Sequence, residues 1–190
     1  MKISEDLKKA IKELPEKEKD KLLIRLIPKN SLLVQQLEYK LLEFSETMLS
    51  RRGEVKDSIS KNLEKYPDYY YNPGYLLMDM RDMSGMINLH VNITKDKLGE
   101  IELNLFMLNE ILGRNQTKLK YADYYEMIKF NEYIVKRGIK LLKLVKAIDE
   151  DFQVDFQQGF QELGNLIESQ SSIFKTARDL GLDINHFKNF

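Results

Sequence analysis

The chain has 190 residues, 43% of them apolar, and its 30 Lys plus Arg balance 30 Asp plus Glu. That length lets a globular fold bury about 70% of the surface its unfolded form exposes, and a net charge of zero removes any long-range field drawing it toward nucleic acid or membrane. The absence of cysteine excludes disulfides, thiolate nucleophiles, cysteine-ligated zinc and iron–sulfur clusters.

Charged residues such as Lys2, Glu5, Asp6, Lys8 and Lys9 interrupt the first turn of chain, leaving no signal-peptide core. No later run approaches the roughly 20 apolar residues of a membrane span. The expectation is a soluble, cytoplasmic protein with no implied cofactor or metal. Ser4 can cap a first helix carrying Leu7, Ala10, Ile11 and Leu14 on one face. Pro15 suits the start of a second, with Leu22, Leu23, Leu26 and Ile27 as its stripe and Pro28 as its stop. Together they predict a helical hairpin.

Asn30 or Ser31 can cap a third helix, in which Leu33, Val34, Leu37, Leu41, Phe44 and Met48 run on to Gly53 as the expected terminator. A fourth carries Val55, Ile59, Leu63 and Tyr66 and stops at Pro67. Pro67, Asn72, Pro73 and Gly74 then punctuate a segment crowded with Tyr66, Tyr69, Tyr70, Tyr71 and Tyr75, which predicts a loop. Leu76 to Val91 is apolar and methionine-rich and predicts a helix, with Ser84 and Gly85 as the place for a kink or close contact.

Thr94 and Asp96 can cap a helix whose Leu98, Ile101, Leu105, Leu108, Ile111 and Leu112 face one way until Gly113. A long helix is expected from Lys118 to Ile148. Asp149, Glu150 and Asp151 fit the acidic first turn of another, whose Phe160, Leu163, Leu166, Ile167, Phe174 and Ala177 keep helical period as far as Gly181. Phe152, Val154 and Phe156 alternate like a strand, but length favours helix. The tail from Asp183 to Phe190, with Ile184, Phe187 and Phe190, is too apolar to hang free and should dock. No run alternates between turn dipeptides as strands do. The expected fold is all-α: an irregular multi-helix bundle of about seven to eight helices, or alternatively a short α-hairpin solenoid. Residues 1–190 read as a single helical domain whose one candidate break is the tyrosine-rich loop 67–74.

Two surfaces stand out. Projecting the helix 118–148 at 100° per residue sends Met127, Phe130, Ile134, Leu141, Val145 and Ile148 one way. The opposite side gathers Tyr121, Tyr125, Lys129, Tyr133, Lys136, Lys140 and Lys143, flanked by Arg137 and Lys146, with Glu132 the one acid in the stripe. Lysines so spaced can each meet a phosphate and the tyrosines can stack on bases, so a nucleic-acid strand is a coherent ligand. An anionic membrane surface or an acidic partner helix would suit it too. Equally, acids on neighbouring helices would make it an ordinary solvated face. The second surface is the tyrosine cluster, Tyr66, Tyr69, Tyr70, Tyr71 and Tyr75, which can serve a protein partner or a homo-oligomer contact, or can simply cover one end of the bundle.

Other candidates are thinner. Met78, Met80, Met83 and Met86 with His90 offer soft ligands for a cuprous ion but read better as core. Asp183-x-x-His186 is one match where a di-iron bundle needs two. Phosphate-loop, dinucleotide and nucleophile-elbow motifs are absent from the sequence. Glu100, Glu102, Asp123 and Glu126 could hold magnesium in a helical nucleotide hydrolase, although the usual Glu-Glu-x-x-Glu of that class is missing.

The opening Ile3-Ser4, Leu7-Lys8, Ala10-Ile11, Leu14-Pro15 and Glu18-Lys19-Asp20-Lys21-Leu22-Leu23 resembles the start of small uncharacterised all-helical bacterial proteins. The resemblance spans roughly the first forty residues and implies neither an activity nor a site. The expectation is therefore a non-enzymatic helical interaction module that binds a protein partner or its own copy. A nucleic-acid-binding protein and a magnesium-dependent nucleotide hydrolase are the alternatives.

Overall fold

A computed structural model describes residues 3–43, 47–64 and 72–188, and among them the chain is all helix and turn, with no strand. It divides into two compact units, Met1–Ser45 and Glu46–Phe190. That division falls ahead of the tyrosine-rich stretch, of which residues 65–71 lie outside the described part.

In the first unit, α1 (Glu5–Glu13) begins where the Ser4 hydroxyl accepts from the Leu7 N–H. Pro15 precedes α2 (Glu16–Leu26), and Ile27–Lys29 forms a 3-10 turn around Pro28. Asn30 caps α3 (Ser31–Leu42) by accepting from the Leu33 N–H. These boundaries follow the caps and prolines of the sequence, but α3 ends at Leu42, not Gly53.

The second unit opens with α4 (Thr47–Glu64), and Gly53 is an interior residue of it. Gly113 likewise sits inside α6 (Lys97–Lys120). Both glycines face open space, and a helix absorbs one such residue for about 1 kcal/mol. The left-handed positions that end helices here are instead Lys95, at φ 61°, and Gly181, at φ 74°.

Asn72 caps α5 (Pro73–Thr94), which runs unbroken through Ser84 and Gly85. Asp96 caps α6, and Asp123 caps α7 (Tyr124–Val145). The expected helix 118–148 is thus shorter: Lys118 and Lys120 close α6, and Tyr121 lies in the corner. Asp123 overrides the run of helix formers because its carboxylate accepts from the Tyr125 N–H.

The stretch expected as one helix to Gly181 is four pieces: α8 (Glu150–Gln153), a 3-10 turn Val154–Phe156, α9 (Gln157–Ser169) and α10 (Ser171–Asp179). The strand-like alternation at 152–156 is this 3-10 turn, with Phe156 turned into the core. Finally α11 (Asn185–Lys188) lays Phe187 into the core against Phe160, ring centroids 5.6 Å apart. The apolar tail docks as its composition predicts.

The core centres on α6, which packs against α4, α5, α7 and α9. Its buried residues include Ile101, Leu103, Leu105, Met107, Leu108, Ile111 and Leu112, a wider arc than one helical stripe, as a helix enclosed on several sides requires. No helix among the described residues is long and apolar enough to cross a membrane.

Candidate interaction surfaces

The basic stripe divides into two halves. Its corner end is open: Tyr121 and Tyr125 are each 80% exposed and Tyr124 57%. Tyr124 and Tyr125 meet edge to face at 5.7 Å. The turn beneath them is fixed by Tyr121 N–H donating to Lys118 O and Ala122 N–H to Leu119 O, with Leu119 and Met127 buried on either side. The anchored turn fixes where the three rings leave the backbone, so binding there has side chains to order but no loop.

Toward the other end the stripe is largely engaged. Lys136 Nζ lies 2.7 Å from Glu132 Oε2, and Lys140 Nζ 2.6 Å from Glu100 Oε1 of α6. Tyr133 is half-buried, and its hydroxyl is 2.6 Å from Ser84 Oγ and accepts from Arg137 Nη2 at 2.6 Å. It is a link between α5 and α7 and does not belong to an exposed face. Lys129 and Lys143 are exposed and form no ion pair with the described residues.

Of the tyrosine loop, Tyr66, Tyr69, Tyr70 and Tyr71 lie outside the described residues, and Tyr75 is exposed on the first turn of α5. The methionines do not converge: Met80 and Met83 are fully buried while Met78 faces outward. His90 is buried and bonded elsewhere.

That partner is Asp96, the centre of a charge cluster invisible to local spacing. Its Oδ1 accepts from Arg52 Nη2 and from the Gly99 N–H, each at 2.8 Å, and its Oδ2 from Arg52 Nε at 2.9 Å. His90 Nε2 stands 3.1 Å from Oδ2, and because a carboxylate only accepts, that nitrogen is the donor. Arg52 Nη1 continues to Glu102 at 2.8 Å, and Lys56 lies 3.4 Å from the other Glu102 oxygen. Burial works to raise the Asp96 carboxyl, but the bonds from His90, Arg52 and Gly99 and the Arg52 charge outweigh it and hold it down at about 2. Burial opposes the Arg52 charge, yet Asp96 and Glu102 raise its pKa above the usual guanidinium value.

The cluster fastens α4 to the α5–α6 turn. The Gly99 backbone packs directly on the pair: a Cβ there would stand 2.0 Å from Asp96 Oδ2 and 2.8 Å from Arg52 Nε. Gly99→Ala is therefore expected to destabilise the protein by about 2 kcal/mol through forced displacement of the pair. A thermal melt indistinguishable from wild type would contradict that geometry.

The carboxylates considered for magnesium are dispersed in role. Glu100 pairs with Lys140, Glu102 with Arg52 and Lys56, and Asp123 caps α7. The described residues contain no group of three or more His, Asp or Glu placed to hold a metal ion. His186 and Asp183 meet only through backbone, His186 N–H donating to Asp183 O. An open groove of about 630 Å³ between α6 and α9 is lined by Gln116, Gln158, Gln161, Glu162, Asn165, Leu166 and Ser169. It offers carboxamide hydrogen bonds, and its one hydroxyl, on Ser169, donates to the Leu166 carbonyl and not to a base.

The remaining surface is the first unit, where none of the residues 3–43 is buried. In α3, Leu41 is 70% and Leu42 75% exposed, and Leu23, Ile24 and Leu26 of α2 are exposed as well. Spacing assigned Leu23, Leu26 and Leu41 to apolar stripes and left Ile24 and Leu42 out of them. A sharper signal was α3's composition, SLLVQQLEYKLL, in which Glu38 and Lys40 are the only charges. Five leucines and a valine among its twelve residues give this helix more apolar surface than its own unit covers. Comparisons with protein-family models, curated proteins and solved structures find no match to this chain.

Proposed function

We propose that this chain is a non-enzymatic helical interaction module that binds a protein partner, or a second copy of itself, through surfaces outside its packed core. The observation that carries the reading is the uncovered apolar surface of α2 and α3. Nothing within the first unit buries Leu41 or Leu42, and covering a leucine stabilises by about 1.5–3 kcal/mol per side chain. A partner surface that accepts several of them gains enough to offset the ordering it imposes. The unit's acids and bases are interspersed, so it repels neither a partner of mixed charge nor its own copy.

The test is the full chain beside its Leu41→Glu/Leu42→Glu variant. Both side chains already face solvent, so circular dichroism should show the helices unchanged. Wild type is expected to run above its monomer mass of 22.5 kDa in light scattering, or to capture a partner in stoichiometric amount after cross-linking. The variant should lose whichever contact is seen. A monomeric wild type whose captured proteins are identical to the variant's would refute the proposal.

A further inference from the structure

We infer that the corner between α6 and α7 is a binding platform for single-stranded nucleic acid, formed by Tyr121, Tyr124 and Tyr125 with Lys118, Lys120 and Lys129. The site is independent of the apolar surface on α2 and α3. Three tyrosines within five residues stand largely in solvent, on a turn anchored from below by Leu119 and Met127. Large exposed aromatic area is uncommon on a protein surface without a binding role. An unpaired base can lie on such a ring whatever its identity, because every base has a π-face.

The charges select the ligand. Lys118 and Lys120 on the last turn of α6 and Lys129 on the second turn of α7 are exposed and pair with no carboxylate among the described residues. The two acids at the corner are Asp123, engaged in capping Tyr125, and Glu126. Free cations beside free rings match a chain of bases and phosphates. A protein hot spot would instead set its aromatic residues in a packed, desolvated centre, whereas these rings are 57–80% exposed and Ile128 is the one exposed large aliphatic residue beside them on the first turns of α7. A duplex hides its bases from the rings, so single strands should be preferred.

The structure also narrows the basic stripe. Lys136 and Lys140 are held by Glu132 and Glu100, so the strand should not extend down α7. Fluorescence anisotropy of the full chain with a labelled oligothymidylate of about 20 nucleotides at low salt, beside a duplex of equal length, tests this. Binding to the single strand is expected, with log K falling against log salt with a slope of about −2, as three phosphate contacts predict. Tyr121→Ala/Tyr125→Ala should weaken it at least about tenfold, while Tyr121→Phe/Tyr125→Phe, which keeps the stacking faces, should restore it. Lys136→Ala/Lys140→Ala should change it less than about twofold. No binding to either probe at low salt overturns the proposal. So does binding that survives loss of both rings, or a corner variant that alters only the capture of a protein.

Discussion

Asp96→Ala is expected to lower the stability of the protein by about 3–5 kcal/mol, the range for breaking a buried ion pair from one side. The substitution leaves the Arg52 guanidinium, whose side chain is 15% exposed, facing an apolar methyl, strips the buried His90 of its acceptor and removes the cap from α6. Arg52→Ala should cost less, because His90 and the Gly99 N–H still bond Asp96 and Lys56 still meets Glu102. Urea unfolding of the three proteins gives the ranking. A loss below about 1 kcal/mol for Asp96→Ala would mean that water reaches the pair.

The same carboxyl sets a pH signature. Its folded pKa of about 2 lies below the ordinary 3.8, so the folded state binds the proton less readily than the unfolded chain. The stabilisation is therefore complete above about pH 4 and disappears as pH falls toward 2, a change of about 2 kcal/mol. Other carboxylates titrate in that window, but the difference between wild type and Asp96→Ala isolates this one. That difference should shrink on acidification, and a constant gap from pH 5 to pH 2 would contradict the assignment.

Phe187→Ala carries the second large effect, also about 3–5 kcal/mol. The ring is fully buried, stacks on Phe160 and covers Gly138, where a Cβ would come within 3.0 Å of its Cζ. Gly138→Ala should thus be destabilising in wild type. Without the ring the steric reason vanishes, and the alanine should be neutral or favourable by up to about 1 kcal/mol through helix propensity. The two substitutions are expected to be strongly non-additive in a double-mutant cycle. Additivity within about 0.5 kcal/mol would place the ring elsewhere.

Much of the helical skeleton was legible because its signals are local. Ser4, Asn30 and Asp96 cap where their side chains predict, Pro15 and Pro28 bracket α2, and the apolar tail docks. Glycine misled at 53 and 113, since a glycine ends a helix only where the backbone turns left-handed, and that decision belongs to the packing of the following residues. Gln170 ends α9 with neither Gly nor Pro to announce it.

The surfaces were legible in outline only. Helical projection assigned Tyr133 to the solvent side from its Cα direction, but the long side chain swings its hydroxyl to Ser84. Arg52 joins Asp96 across 44 residues, a separation beyond any periodicity, so Asp96 read merely as a cap. In the first unit, spacing reports which residues share a face and is silent on whether anything covers that face.

The central position of α6 has a consequence for the order in which the molecule can be completed. Two of its flanking helices, α4 and α5, precede it along the chain, and the Arg52–Asp96 bond lets that half close while synthesis continues. The side that receives α9 stays open until residues 157–169 have left the ribosome. Leu105 and its neighbours are then a transient sticky surface on the nascent chain, and any delay in translating the segment between α6 and the end of α9 prolongs its exposure to aggregation and to chaperones.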